Sequence, residues 1–317
     1  MWRVLSGVWM GWALGSNDAA NLFGTGVAAR IIKYRTATFI ISIFVIIGAF
    51  LEGPKAMETL GKLVDISKNM NMAFIVSLAA AIAVTIMSVL GLPISTSQAI
   101  VGAILGGAII LGNVDTRKLT KIAICWVGTP IGAAIIAYIM YTFLDLVSKK
   151  FIKNVMIFNR FIQVSVILAG SYGSYALGAN NVANVTAVYV GAGMMSPTTA
   201  ALIGGFAIAL GVLTYSRNVM TTVGKKITGI GPLGALVAEL SHSITLHIYT
   251  QVGVPVSSSQ AIVGAVIGTG LVKGYRAVSY KKVLHIFLGW IFTPTTSCII
   301  SLVLIKLFEI FGISVLL

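Results

Sequence analysis

Charge is what this chain has least of. Only 9% of its 317 residues are charged, eight of them acidic, against about 25% in a soluble domain. Such scarcity excludes a water-soluble fold, because too little polar surface exists to cover the 57% of residues that are hydrophobic. Cysteine is scarce too. Cys125 and Cys298 lie far apart in apolar segments, so neither a disulfide framework nor a thiolate metal site is expected. The three histidines, His242, His247 and His285, show no metal-ligand spacing. His242 and His247 are five apart, off a common helical face, and all three read as ordinary polar or interface side chains. No His or Cys is spaced to activate a nucleophile, so an intramembrane enzyme is not expected. Nor is a cleavable leader, because Asn17, Asp18 and Asn21 stand where a small-residue cleavage site belongs.

What the chain does have is apolar runs of roughly the 17–25 residues that a bilayer requires. They cover 1–29, 36–52, 72–90, 94–112, 119–147, 158–177, 180–195, 197–216, 231–252, 256–272 and 283–317. The prediction is an all-α polytopic protein of the plasma membrane, with lipid as its surroundings. A net charge of +14 would suit nucleic acid, but the basic residues gather in short connections, which is membrane-topology charge. No nucleic-acid partner is expected.

The chain repeats itself. "GSNDAANLFGTGV" at 15–27 matches "GANNVANVTAVYV" at 178–190, and "METLGK" at 57–62 matches "MTTVGK" at 220–225, both offset by 163 residues. The stretch around Pro93 returns around Pro255, and "WVGTP" at 126–130 returns as "WIFTP" at 290–294, at offsets of 162 and 164. Two transmembrane repeats follow, 1–150 and 155–317, joined by "SKKFIKN". Reading 72–112 as an out-and-back element and 158–195 as one interrupted span gives each repeat an odd number of crossings, so the second is inverted. Loops 30–35, 148–160, 217–230 and 273–282 then share one side and hold 14 of the 22 basic residues. The positive-inside rule makes that side cytoplasmic and both termini external.

Inverted repeats with broken or re-entrant helices meeting at the midplane are secondary-transporter architecture. "GLPISTSQ" at 91–98 and "GVPVSSSQ" at 253–260 read as such breaks. Proline fits the first turn of the following helix, and Ser95, Thr96, Ser97 and Ser257, Ser258, Ser259 cluster at its positive end. Two opposed hydroxyl-rich tips form a cradle for a small oxyanion, with Gln98 and Gln260 at matching positions. The "GSNDAAN" and "GANNVAN" stretches supply oxygen instead. An acidic residue within an apolar segment usually marks a site. Asp18 with the side-chain carbonyls of Asn17, Asn21, Asn180, Asn181 and Asn184 suits a hard cation. No Lys or Arg lies near either motif, so bound cations would supply the countercharge for the anion. A passive anion channel would share the cradle but have no need of Asp18.

The two motif pairs resemble the duplicated signatures of the inorganic phosphate transporter (PiT) family: G-A-N-D-V-A-N in "GSNDAAN" and "GANNVAN", and G-L-P-[IV]-S-T-T-H in "GLPISTSQ" and "GVPVSSSQ". "GKKITGIGPLGALVAEL" at 224–240 resembles the family's K-I-T-x-L-x-P stretch. The resemblance spans the chain, whose short linker is of the prokaryotic type. It implies cation-coupled import of phosphate, with Na+ and sometimes H+ as the coupling ion and no other cofactor. Phosphate contacts would fall on Ser95, Thr96, Ser97, Ser257, Ser258 and Ser259, and sodium ligands on Asp18, Asn21, Asn181, Asn184 and neighbours. A homodimer is a further expectation. Asn181 stands where the second signature has Asp, Gln98 and Gln260 stand where it has His, Val45 replaces the family's first-repeat Glu, and Glu239, before the second hydroxyl motif, is retained. Sulfate permeases with weakened Asp motifs also occur in the family, which makes sulfate the alternative substrate.

Overall fold

The computed structural model describes residues 2–64, 69–90, 94–220, 231–272, 274 and 280–313. Pro93 and its two predecessors, most of "MTTVGK", the start of the K-I-T stretch and the His285 side chain lie outside the described residues. Within them the chain is helical throughout: α1 (Leu5–Asp18), α2 (Ala20–Ala28), α3 (Tyr34–Glu52), α4 (Pro54–Gly61), α5 (Met70–Val89), α6 (Thr96–Leu111), α7 (Thr116–Phe151), α8 (Val155–Gly191), α9 (Pro197–Tyr215), α10 (Gly231–Val252), α11 (Ser258–Val272) and α12 (Tyr280–Ile310). Six described helices, α3, α5, α7, α8, α9 and the Leu288–Ile310 part of α12, are long and apolar enough to cross a membrane.

Local chemistry explains the boundaries. The Asp115 carboxylate accepts from the Arg117 and Lys118 amides at the start of α7. Asn154 accepts from Met156 and Ile157 at the start of α8. Ser196, followed by Pro197, caps α9 through the Thr199 amide. Each satisfies an N–H that a helix start leaves free. At the end of α10, Gly253 adopts a left-handed φ of 72°. The amides of Gly253 and Val254 turn back to the Thr250 and Tyr249 carbonyls, the Schellman arrangement that glycine makes cheap.

The tertiary pairing is reciprocal. α1 packs on α9, and α8 on α3; α1 packs on α5, and α8 on α10; α6 packs on α12, and α11 on α7. Backbones touch where side chains are missing. A Cβ on Gly102 of α6 would overlap the Pro294 carbonyl of α12, and one on Gly264 of α11 would overlap the Pro130 carbonyl of α7. Small residues at such contacts are how helices associate in lipid. Pro130 and Pro294 sit inside continuous helices, and the threonine before each, Thr129 or Thr293, bonds the carbonyl four residues back.

Two expectations need correcting. The second repeat's signature does not interrupt its span: α8 runs unbroken for 37 residues through "GANNVAN". No proline removes an amide there, and Gly178 is pressed against the Val45 carbonyl of α3, so its missing side chain serves packing rather than a bend. In the first repeat the helix yields only at Ala19, between α1 and α2. The second correction concerns proline. Pro255 lies in the non-helical Val254–Val256 stretch ahead of α11, because Ser257 is the better N-cap and claims the helix start.

Candidate functional site

The hydroxyl motifs build two helix N-termini from local rules. Ser95 is the N-cap of α6 and accepts from the Gln98 amide at 3.2 Å. Ser257 does the same for the Gln260 amide at 3.2 Å. Thr96 and Ser258 therefore occupy the first helical position, and Ser97 and Ser259 the second.

Tertiary structure then ties the tips together. Ser97 Oγ donates to the Val256 carbonyl at 2.7 Å, and Ser259 Oγ donates to the Ile94 carbonyl at 2.6 Å. Each non-helical stretch is clamped by an asparagine. Asn180 Oδ1 accepts from the Val256 amide at 2.8 Å, while its NH2 donates to the Val254 carbonyl and to Thr250. Asn17 Oδ1 accepts from the Ile94 amide at 3.3 Å, and its NH2 donates to Ser88. Both were expected to offer oxygen to a cation. Their carbonyls are instead engaged by backbone N–H groups that a broken helix exposes, which must be satisfied away from water.

Two of the remaining asparagines turn their NH2 groups towards Asp18, which is fully buried. Thr96 Oγ1 donates to Asp18 Oδ2 at 2.9 Å. The Asn21 and Asn181 NH2 groups each lie 3.5 Å from its carboxylate. Asn184 donates to Ser97 Oγ at 2.8 Å, and Asn21 also donates to Ser258 Oγ at 3.1 Å. The Oδ1 atoms of Asn21, Asn181 and Asn184, and Gln98 Oε1 and Gln260 Oε1, are buried without a hydrogen-bond partner among the described residues. Buried acceptors left unpaired are costly, and a carboxylate beside such carbonyls is the donor set a hard cation takes. The family's first-repeat Glu position, Val45, faces packing against Gly178. Glu239 is buried on α10 with both oxygens unpartnered.

One residue of the cluster was not expected. His242 Nε2 lies 2.9 Å from Ser258 Oγ, and the ring is fully buried. Its 16-residue separation from Ser258 hid the pair, since the packing of α10 against α11 decides which of their residues meet. The available signal was a polar run on α10: Glu239, Ser241, His242, Ser243 and Thr245 are all buried. The Nδ1 of His242 has no hydrogen-bond partner among the described residues.

Comparison with known proteins places the chain in a family. A sequence model described as the phosphate transporter family matches residues 14–301. A protein of Pyrococcus furiosus named as a phosphate permease is 31% identical, over 96% of this chain and 94% of that one. A sulfate permease of Bacillus subtilis is 28% identical, over 96% of this chain and 87% of its own length. A solved structure titled as a sodium-dependent phosphate transporter superposes with a TM-score of 0.81 at 23% identity, covering 97% of this chain and 98% of that one; at that identity the likeness concerns the fold. With helices able to span a bilayer and a family match across nearly its whole length, this chain is a multi-pass membrane protein that belongs to the phosphate transporter family.

Proposed function

We propose that the protein is a secondary active transporter, not an enzyme, that imports inorganic phosphate together with Na+. The observation that carries this reading is the gathering of Asp18 and the side chains of Asn21, Asn181 and Asn184, each with an amide oxygen left without a partner among the described residues, at two crossed helix N-termini. The N-termini favour an anion through their free N–H groups and dipoles. Asp18 disfavours one unless a cation joins it, which makes anion uptake depend on the cation. Asn17 and Asn180 position the tips rather than ligate. The reciprocal packing of helices supports two inverted-topology repeats, 1–150 and 155–317, and the bias of basic residues between the loops supports both termini lying outside the cell.

The alternative substrate is sulfate, favoured by the likeness to the Bacillus subtilis permease. The test is uptake of radiolabelled phosphate and sulfate into proteoliposomes with and without an inward sodium gradient. Sodium-driven accumulation of phosphate is expected. Accumulation driven by a pH gradient alone would replace Na+ with H+, and uptake indifferent to any cation would make the protein a passive channel.

A further inference from the structure

The two tips treat their first hydroxyls differently. Thr96 spends its proton on Asp18. Ser258 sits between Asn21 Nδ2, which donates to it, and His242 Nε2. A neutral imidazole has one N–H and one lone pair, and a hydroxyl has one proton and two lone pairs. If Nε2 held the proton, Ser258 would accept twice. Its own proton and the Nδ1 lone pair would then both be stranded. With the proton on Nδ1, Ser258 donates to Nε2 and only the Nδ1–H lacks a partner. Fewer buried polar groups are left unsatisfied in the second arrangement, so the tautomer is assigned on that accounting.

The consequence reaches the ligand. Ser97 and Ser259 spend their protons on the Val256 and Ile94 carbonyls. With Ser258 committed to His242, all four first-turn hydroxyls have their protons engaged within the protein. Ser258 retains one lone pair. The tips thus offer backbone N–H donors to charged oxygens and a hydroxyl acceptor to a ligand that carries a proton. Phosphate at neutral pH has at least one P–OH group; sulfate has none.

We infer that His242, by taking the Ser258 proton, makes Ser258 an acceptor for the P–OH group and thereby sets phosphate above sulfate. This rests on the two tips being the oxyanion site. His242 acts through Ser258 and is a positioning residue for specificity.

The test is competition against radiolabelled phosphate on the full-length protein in proteoliposomes. The competitors are unlabelled phosphate and arsenate, which carry a hydroxyl, and sulfate, selenate and monofluorophosphate, which carry no proton at neutral pH. In the wild type the first two should compete better by about tenfold or more, the effect of one buried hydrogen bond. His242→Leu frees the Ser258 proton and should bring that ratio towards one. His242→Gln, whose amide oxygen can accept the same proton, should restore it relative to the leucine variant. Monofluorophosphate competing as well as phosphate in the wild type would overturn the inference, and that measurement requires no variant to fold. A leucine variant that weakens all five anions by one factor would overturn it as well. Failure of the wild type to bind any of the five would instead refute the oxyanion site itself, and the inference with it.

Discussion

Asp18→Asn separates the cation site from the rest of the fold. Asp18 is fully buried, and its hydrogen-bond partners are neutral: Thr96, Asn21 and Asn181. No cationic side chain pairs with it among the described residues. A sodium ion about 4 Å from the carboxylate gains about 4 kcal/mol at an effective dielectric of about 20, equivalent to roughly a thousandfold in affinity. The asparagine variant loses that attraction but keeps an oxygen that can accept from Thr96. It also removes a buried charge, so the fold should be as stable as the wild type or more so. In detergent, the wild-type unfolding temperature should climb with sodium concentration, as it must when a ligand binds only the native state. Asp18→Asn should show no climb over the same range, and half-saturating sodium for uptake should rise beyond it. Asp145→Asn is the control, because Asp145 pairs with Lys149 on the surface; it should behave as wild type. An Asp18→Asn protein with unchanged sodium-induced stabilisation and unchanged sodium dependence of uptake would refute the assignment.

Asn181→Asp would place a second carboxylate about where an amide now lies 3.5 Å from Asp18, a repulsion of about 5 kcal/mol at the same dielectric. Without sodium the variant should unfold at lower temperature, and its uptake should depend more steeply on sodium with anion preference unchanged; unaltered sodium dependence would place position 181 outside the cation site. Asn180→Ala strands the Val256 amide and two acceptors on the α10 side. Calorimetry should find it about 1–3 kcal/mol or more less stable, with sodium and phosphate binding weakened alike, whereas a selective loss of sodium binding would make Asn180 a ligand. Gly264→Ala drives a methyl into the Pro130 carbonyl and should cost about 1–3 kcal/mol or more. Gly132→Ala, on the same α7 with open space around it, should unfold at the wild-type temperature, and equal loss in both would contradict the close approach.

The sequence alone determined everything that depends on local rules. Scarce charge and repeated apolar runs specify an all-helical membrane chain, because only internally bonded helices or closed barrels survive in lipid. Proline and hydroxyl residues together placed a helix start at each motif, but the sequence put proline in the first turn, and the structure shows Ser95 and Ser257 as the N-caps. Recurrence of both motifs pointed to Asp18, Asn21, Asn181 and Asn184, and the structure does bring them together. Tertiary structure decided what each polar group faces. Asn17 and Asn21 look alike in "GSNDAAN", yet one holds the Ile94 amide and the other leaves its carbonyl free, because the first turns towards the break and the second towards Asp18. The continuity of α8 through its copy of the motif depends on α3 lying against Gly178. The pairing of His242 with Ser258 joins two helices of the second half, that of Ser97 with Val256 joins the two halves, and both distances are set by how the helices pack. Side-chain hydrogen bonds have a reach of about 3 Å, so only the packed backbone decides which of many polar groups come within it.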